Sequence, residues 1–128
     1  MDRTFFVIGS ASGGLAVLFG AFGAHGLRAR LGALPDGATR LSWWETAAHY
    51  HLVHALAILF AGYLCTRTGQ GSAAIAGFCF VLGTVLFSGS LYAMTLTGVR
   101  ALGAVTPIGG LLLVVGWALG AYTAWKMV

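Results

Sequence analysis

Thr46–Cys65, TAAHYHLVHALAILFAGYLC, is long and apolar enough to cross a bilayer, yet it carries His49, His51 and His54. A hydrocarbon core about 30 Å thick asks for about 20 apolar residues in a helix. Within it, every backbone amide must find its partner inside the chain, so the segment can only be helical. Three further apolar blocks of similar length flank it. The sequence therefore predicts an all-α, integral membrane four-helix bundle with spans at about 5–26, 44–65, 72–96 and 107–126. It reads as one four-span transmembrane domain over residues 1–128, with both termini on the same side.

The composition leaves little room for a water-soluble fold. Of 128 residues, 59% are hydrophobic and 8% are charged, against about 25% charged in a typical soluble domain. The net charge of +4 is scattered over the termini and connections, so no basic patch offers itself to nucleic acid. Cys65 and Cys79 lie in or beside apolar segments and read as packing residues. The start of the chain is not a typical cleaved signal, because Arg3 is alone and Asp2 offsets it. Arg3, Arg67 and Lys126 fall on one side and Arg28, Arg30, Arg40 and Arg100 on the other, a balance too even to orient the chain.

Small residues mark the expected helix contacts. Gly9, Gly13, Ala16, Gly20 and Gly23 recur at alternating steps of four and three and form a flat stripe on the first span. Gly77, Gly83 and Ser88-Gly89-Ser90 suit close approach on the third, and Gly109, Gly116 and Gly120 line one face of the fourth. Between the first two spans, Leu27–Leu41 reads as the longest connection, with a turn at Pro35-Asp36-Gly37 and arginines suited to a headgroup layer. Ser42-Trp43-Trp44-Glu45 resembles a capping box with an interfacial tryptophan pair. Thr106-Pro107 reads as an N-cap followed by proline at the first helical position.

Ionisable side chains within a span are candidate functional groups. At about 100° per residue, Tyr50, His51 and His54 share a broad face with Ala47, Ala57 and Ala61, while His49 and Glu45 point away as an i, i+4 pair. His25 closes the first span on the same membrane side. The expected polar site thus gathers His25, Tyr50, His51 and His54 at one end of the bundle, with Ser88, Ser90 and Thr106 along a route past them. Neutral imidazoles there suit proton or small-solute translocation, or haem or metal ligation in a redox subunit. The H-x-H-x-x-H run has no metal-site spacing and its side chains diverge, so no metal or cofactor is expected. No nucleophile elbow, phosphate-binding loop or dinucleotide fingerprint occurs, and no enzymatic activity is expected.

GAFGAHGL at Gly20–Leu27, Trp44-x-Thr46-Ala47, Tyr50-x-x-x-His54-Ala55-Leu56, LFSGSLYAMTLTG at Leu86–Gly98 and TPIGGLLLVVGW at Thr106–Trp117 resemble the YgdD/YwdK family. These are small bacterial membrane proteins whose eukaryotic relatives are called transmembrane protein 256. The resemblance runs through nearly the whole chain in the same order. It implies a four-helix, multi-pass protein of the bacterial plasma membrane and supplies no activity. His25 and His54 occupy motif positions; His49 and His51 do not. The expected function is that of a non-enzymatic bundle in the lipid bilayer, acting as a homo-oligomer or within a larger membrane complex. The alternatives are the translocation and haem- or metal-binding readings.

Overall fold

A computed structural model describes residues 1–127. Helix α1 (Asp2–Phe22) runs through a π-turn (Gly23–Leu27) into a short α2 (Arg28–Leu31). Helix α3 (Gly37–Thr68), α4 (Gly71–Thr97), a 3-10 turn (Arg100–Ala104) and α5 (Thr106–Trp125) follow. Among the described residues, four helical stretches are long and apolar enough to cross a membrane: Asp2–Leu31, Gly37–Thr68, Gly71–Thr97 and Arg100–Trp125. The expected all-α four-span architecture is therefore present, with longer helices than hydropathy alone delimits.

The bundle is open. Helices pack in chain order, α1 on α3, α3 on α4 and α4 on α5, with sparser contact between α3 and α5. The central pair α3 and α4 is correspondingly the most enclosed: 44% of each apolar window is buried, against 17% in α1 and α5. Phe5, Ala57, Ile58, Ala61, Ala76, Phe80 and Leu113 form the main core.

Glycine sets the distances between these helices. On α4 and α5, a methyl group at Gly83 would lie 2.6 Å from Leu113 Cδ2, and one at Gly109 would run into the Phe87 backbone. The two backbones therefore touch where α4 crosses α5. Elsewhere aromatic rings fill the notches: Phe5 sits over Gly77, Phe80 over Gly116 and Trp44 over Gly23. Gly9 has the same role beneath Leu59. Gly13 and Gly120 make only ordinary contacts, and a methyl at Gly20 or Gly89 would meet nothing, so these are not close-packing positions.

The first connection differs most from expectation. Leu27 and Leu31 are buried against Trp44, which holds the end of the first span helical well past Gly26. Only residues 32–36 lie between α2 and α3. Because α3 begins at Gly37, Ser42 lies inside a helix and bonds the Thr39 carbonyl at 2.6 Å instead of capping. Trp44 is not an interfacial anchor: it is 4% exposed, and its indole N–H donates to Phe19 O at 2.7 Å. Glu45 pairs with Arg28 at 3.4 Å across the surface, not with His49. Arg40 donates to the Thr95 and Leu96 carbonyls at 2.8 and 3.1 Å, where α4 ends on left-handed Gly98. A guanidinium at a helix C-terminus satisfies orphan carbonyls and opposes the negative dipole end. Thr106 makes no cap bond, its hydroxyl being taken by Ser90.

Gly109→Ala should destabilise the protein by about 1–3 kcal/mol, the usual cost of overpacking. Gly20→Ala, into open space, should change stability by no more than about 0.5 kcal/mol. Equilibrium unfolding in mixed micelles compares the two; equal effects would show that α4 and α5 do not meet backbone to backbone.

Candidate functional site

The polar side chains within the spans fall into separate groups. His54 lies on α3 facing α5, 4% exposed. Trp117 Nε1–H donates to His54 Nε2 at 3.1 Å, so the ring proton sits on Nδ1, which donates to the Tyr50 carbonyl at 2.8 Å. Both nitrogens are engaged: Nδ1 carries the proton, and the one free lone pair of the ring, on Nε2, accepts from Trp117. Among the described residues, no three His, Cys, Asp or Glu side chains come together as a metal site.

His51, one turn away, faces α1 and α4 instead. Its Nε2 meets Ser12 Oγ at 3.0 Å and its Nδ1 meets Tyr92 Oη at 3.1 Å. Phe19 packs edge-on to Tyr92 at 5.1 Å, and Tyr92 lies 4.5 Å from Trp44, so an aromatic cluster closes this triad on one side. The 100° step per residue carries His51 and His54 about 60° apart, enough to send them to different neighbours.

The remaining candidates lie elsewhere. His25 is exposed in the π-turn and bonds no other side chain among the described residues. Tyr50 is 41% exposed; its ring stacks on His54 and packs 4.5 Å from Phe87, while its hydroxyl bonds no described residue. Helical spacing places Tyr50 near the packing face, but the long side chain reaches outward past the contact. His49 is exposed, as its angle predicts. Ser88, 1% exposed, donates to Ala47 O at 2.8 Å and ties α4 to α3. Ser90 donates to Phe87 O, so Thr106 is the donor in their 2.6 Å contact, which ties α4 to α5. Ser72 and Thr123 repeat this tie at the other end of the same helix pair, at 2.7 Å. Most of these residues thus act as staples between helices, and His25, Tyr50 and His54 share no cavity.

Sequence reasoning passes over Ser12, Thr84, Tyr92 and Trp117. Ser12 is indistinguishable from the small residues of its stripe. Tyr92 carried a signal, as the one hydroxyl-bearing aromatic of the third span. A groove of about 490 Å³ lies between α1 and α4 and is floored by α3. Ser12, His51, Thr84 and Tyr92 line it, within otherwise apolar walls. Thr84 Oγ1 is buried there without a hydrogen-bond partner among the described residues.

Comparison with known proteins places the chain in a family. Residues 19–110 match the model described as "Protein of unknown function (DUF423)". The UPF0382 membrane protein YwdK of Bacillus subtilis is 40% identical over 97% of this chain and 98% of its own length. A UPF0382 membrane protein of Staphylococcus haemolyticus is likewise 40% identical over 98% of each chain. One from Staphylococcus epidermidis is 44% identical over 90% of this chain and 89% of its own. No solved structure matches. The chain belongs to the DUF423 family, whose members are named as membrane proteins of unknown function.

Trp117→Phe should cost about 1 kcal/mol of stability, near the upper half of the range for interhelical hydrogen bonds in membranes. His25→Ala, with no partner to lose, should leave the unfolding midpoint in place. Reversed sensitivities would mean that His25 is the packed histidine.

Proposed function

We propose that this DUF423 member is a non-enzymatic, multi-pass protein of the bacterial plasma membrane that acts through lateral association, as a homo-oligomer or within a larger membrane complex. Four spans would bring its two termini to the same face. The observation that carries the reading is a second small-residue seam on α1. Gly9, Ala16 and Gly23 are buried within the chain. About a third of a turn around the helix, Ser10, Gly14 and Ala21 are exposed, and a methyl group at Gly14 would meet nothing. Exposed small residues four apart let a second helix approach closely in lipid, where packing and interhelical hydrogen bonds drive association. The polar groups support the same reading. Apart from Thr84, the buried hydroxyls and imidazoles each bond a residue of another helix, and among the described residues His25, Tyr50 and His54 line no common cavity.

The test is disulfide cross-linking of Ser10→Cys in native membranes, in a background with Cys65 and Cys79 replaced by alanine. A dimer band that Gly14→Leu removes supports association through this seam. Absence of the band, together with pull-downs that recover no partner from native membranes, would overturn the proposal.

A further inference from the structure

The groove between α1 and α4 has the makings of a ligand site. Helices α1 and α4 approach through side chains at two places. Phe5 reaches Gly77 and meets Phe78 edge-on at 5.4 Å; fourteen residues along, Phe19 meets Tyr92 at 5.1 Å. Between these two bridges the helices stand apart over about 21 Å of helix length. The space of about 490 Å³ between them falls within the range of small-molecule sites. Its rim residues Val7, Leu15 and Val85 are 63%, 47% and 62% exposed, so the opening faces sideways into lipid.

The walls carry hydrogen-bond donors without an assigned acceptor. Thr84 is 7% exposed and its Oγ1 has no partner among the described residues. The His51 triad leaves a second. If Nδ1 carries the ring proton, it donates to Tyr92 and Ser12 donates to Nε2, leaving the Tyr92 hydroxyl hydrogen free. In the other tautomer Tyr92 donates to Nδ1 and Nε2–H donates to Ser12, whose hydrogen is then free. Either way, Thr84 and one member of the triad each hold an O–H with no partner among the described residues, at residues that line an otherwise apolar cavity. A buried donor in low dielectric calls for an acceptor.

Depth narrows the class. Thr84 is thirteen residues from each end of α4, about 20 Å either way, and His51 is about 21 and 26 Å from the ends of α3. Thr84 and His51 therefore lie near the middle of the span, and Tyr92, five residues or about 8 Å from the end of α4, reaches His51 from that side. Phospholipid ester carbonyls belong to the interface, about 15 Å from the midplane. The geometry points to a binding site for a neutral, largely apolar lipid that carries a carbonyl group within the hydrocarbon layer, an isoprenoid quinone above all. Its carbonyl oxygens would accept from Thr84 and from the Ser12–His51–Tyr92 chain, and its tail would leave between Val7 and Val85. Ile8, Ser12, Leu15 and Phe19, which line the groove, lie on a different face of α1 from the Ser10–Gly14–Ala21 seam, and Val7 at the rim borders it.

The full-length protein in phospholipid nanodiscs would be titrated with a menaquinone of four isoprene units, reading tryptophan emission. Trp44, 4.5 Å from Tyr92, reports on the site. Saturable quenching is expected in the wild type. Thr84→Val and Tyr92→Phe should each weaken it about five- to tenfold, the equivalent of one hydrogen bond. Thr84→Val removes a hydroxyl with no protein partner, so the fold should survive. Val85→Trp, which fills the groove from its exposed rim, should abolish saturation. Oleic acid and dioleoylglycerol, added as competitors, separate the sources. If they displace the quinone, or bind in its place with the same dependence on Thr84 and Tyr92, the quinone assignment is overturned and the groove is an acyl-lipid site. Quenching that is linear in quinone, or that the three variants leave unchanged, would overturn the proposal.

Discussion

Everything in this structure depends on how closely helix backbones can approach in a solvent that does not drive them together. Hydrocarbon rewards neither helix association nor apolar burial as water does, so shape must supply the attraction. Glycine supplies it here in two ways. At Gly83 and Gly109 it lets two backbones touch, and at Gly23, Gly77 and Gly116 it opens notches that Trp44, Phe5 and Phe80 fill. The rings give back the dispersion contacts that a missing side chain would otherwise forfeit. Three such contacts join successive spans: α1 to α3 through Trp44, and α4 to α5 through Phe80 and the glycine crossing. Phe5 reaches across from α1 to α4.

Hydroxyls and imidazoles then fix the register. Ser88 on the Ala47 carbonyl, Ser90 with Thr106, Ser72 with Thr123 and Trp117 on His54 each join two helices. Each is modest in strength, about 0.6 kcal/mol on average in membranes. Their value lies in position, because a sliding helix would leave several buried groups unpaired at once. Arg40 adds a stronger, charge-assisted tie at the end of α4. Thr84 and the Ser12–His51–Tyr92 chain are the exception: their donors are not all matched among the described residues, and these residues line the groove between α1 and α4.

The span count and the buried alanine face of α3 were legible because both follow from hydropathy and a 3.6-residue period. Ala47, Ala57 and Ala61 are 0–1% exposed, as their angle requires. Helix ends were less legible. The π-turn at Gly23–Leu27 and the early start of α3 depend on Leu27 and Leu31 packing against Trp44, a contact between residues distant in sequence. Ser42 and Glu45 offered a local capping pattern that this packing overrode. The site was least legible. His51 and His54 diverge to different helices, and nothing local says that Ser12 and Tyr92 will meet one of them or that Trp117 will meet the other. Gly20 shares its stripe with Gly9 and Gly23 but faces open space, so period alone does not tell a packed glycine from an idle one.

Because ring-into-notch contact is held to set the helix spacing, the most direct test is the energetic coupling between Phe5 and Gly77. A double-mutant cycle of Phe5→Ala and Gly77→Ala, read by equilibrium unfolding in bilayer-mimicking micelles, isolates it. Gly77→Ala should be clearly destabilising in the wild type, where the added methyl meets the Phe5 ring, and close to neutral once that ring is gone. Equal destabilisation in both backgrounds, with the two substitutions simply additive, would contradict the account.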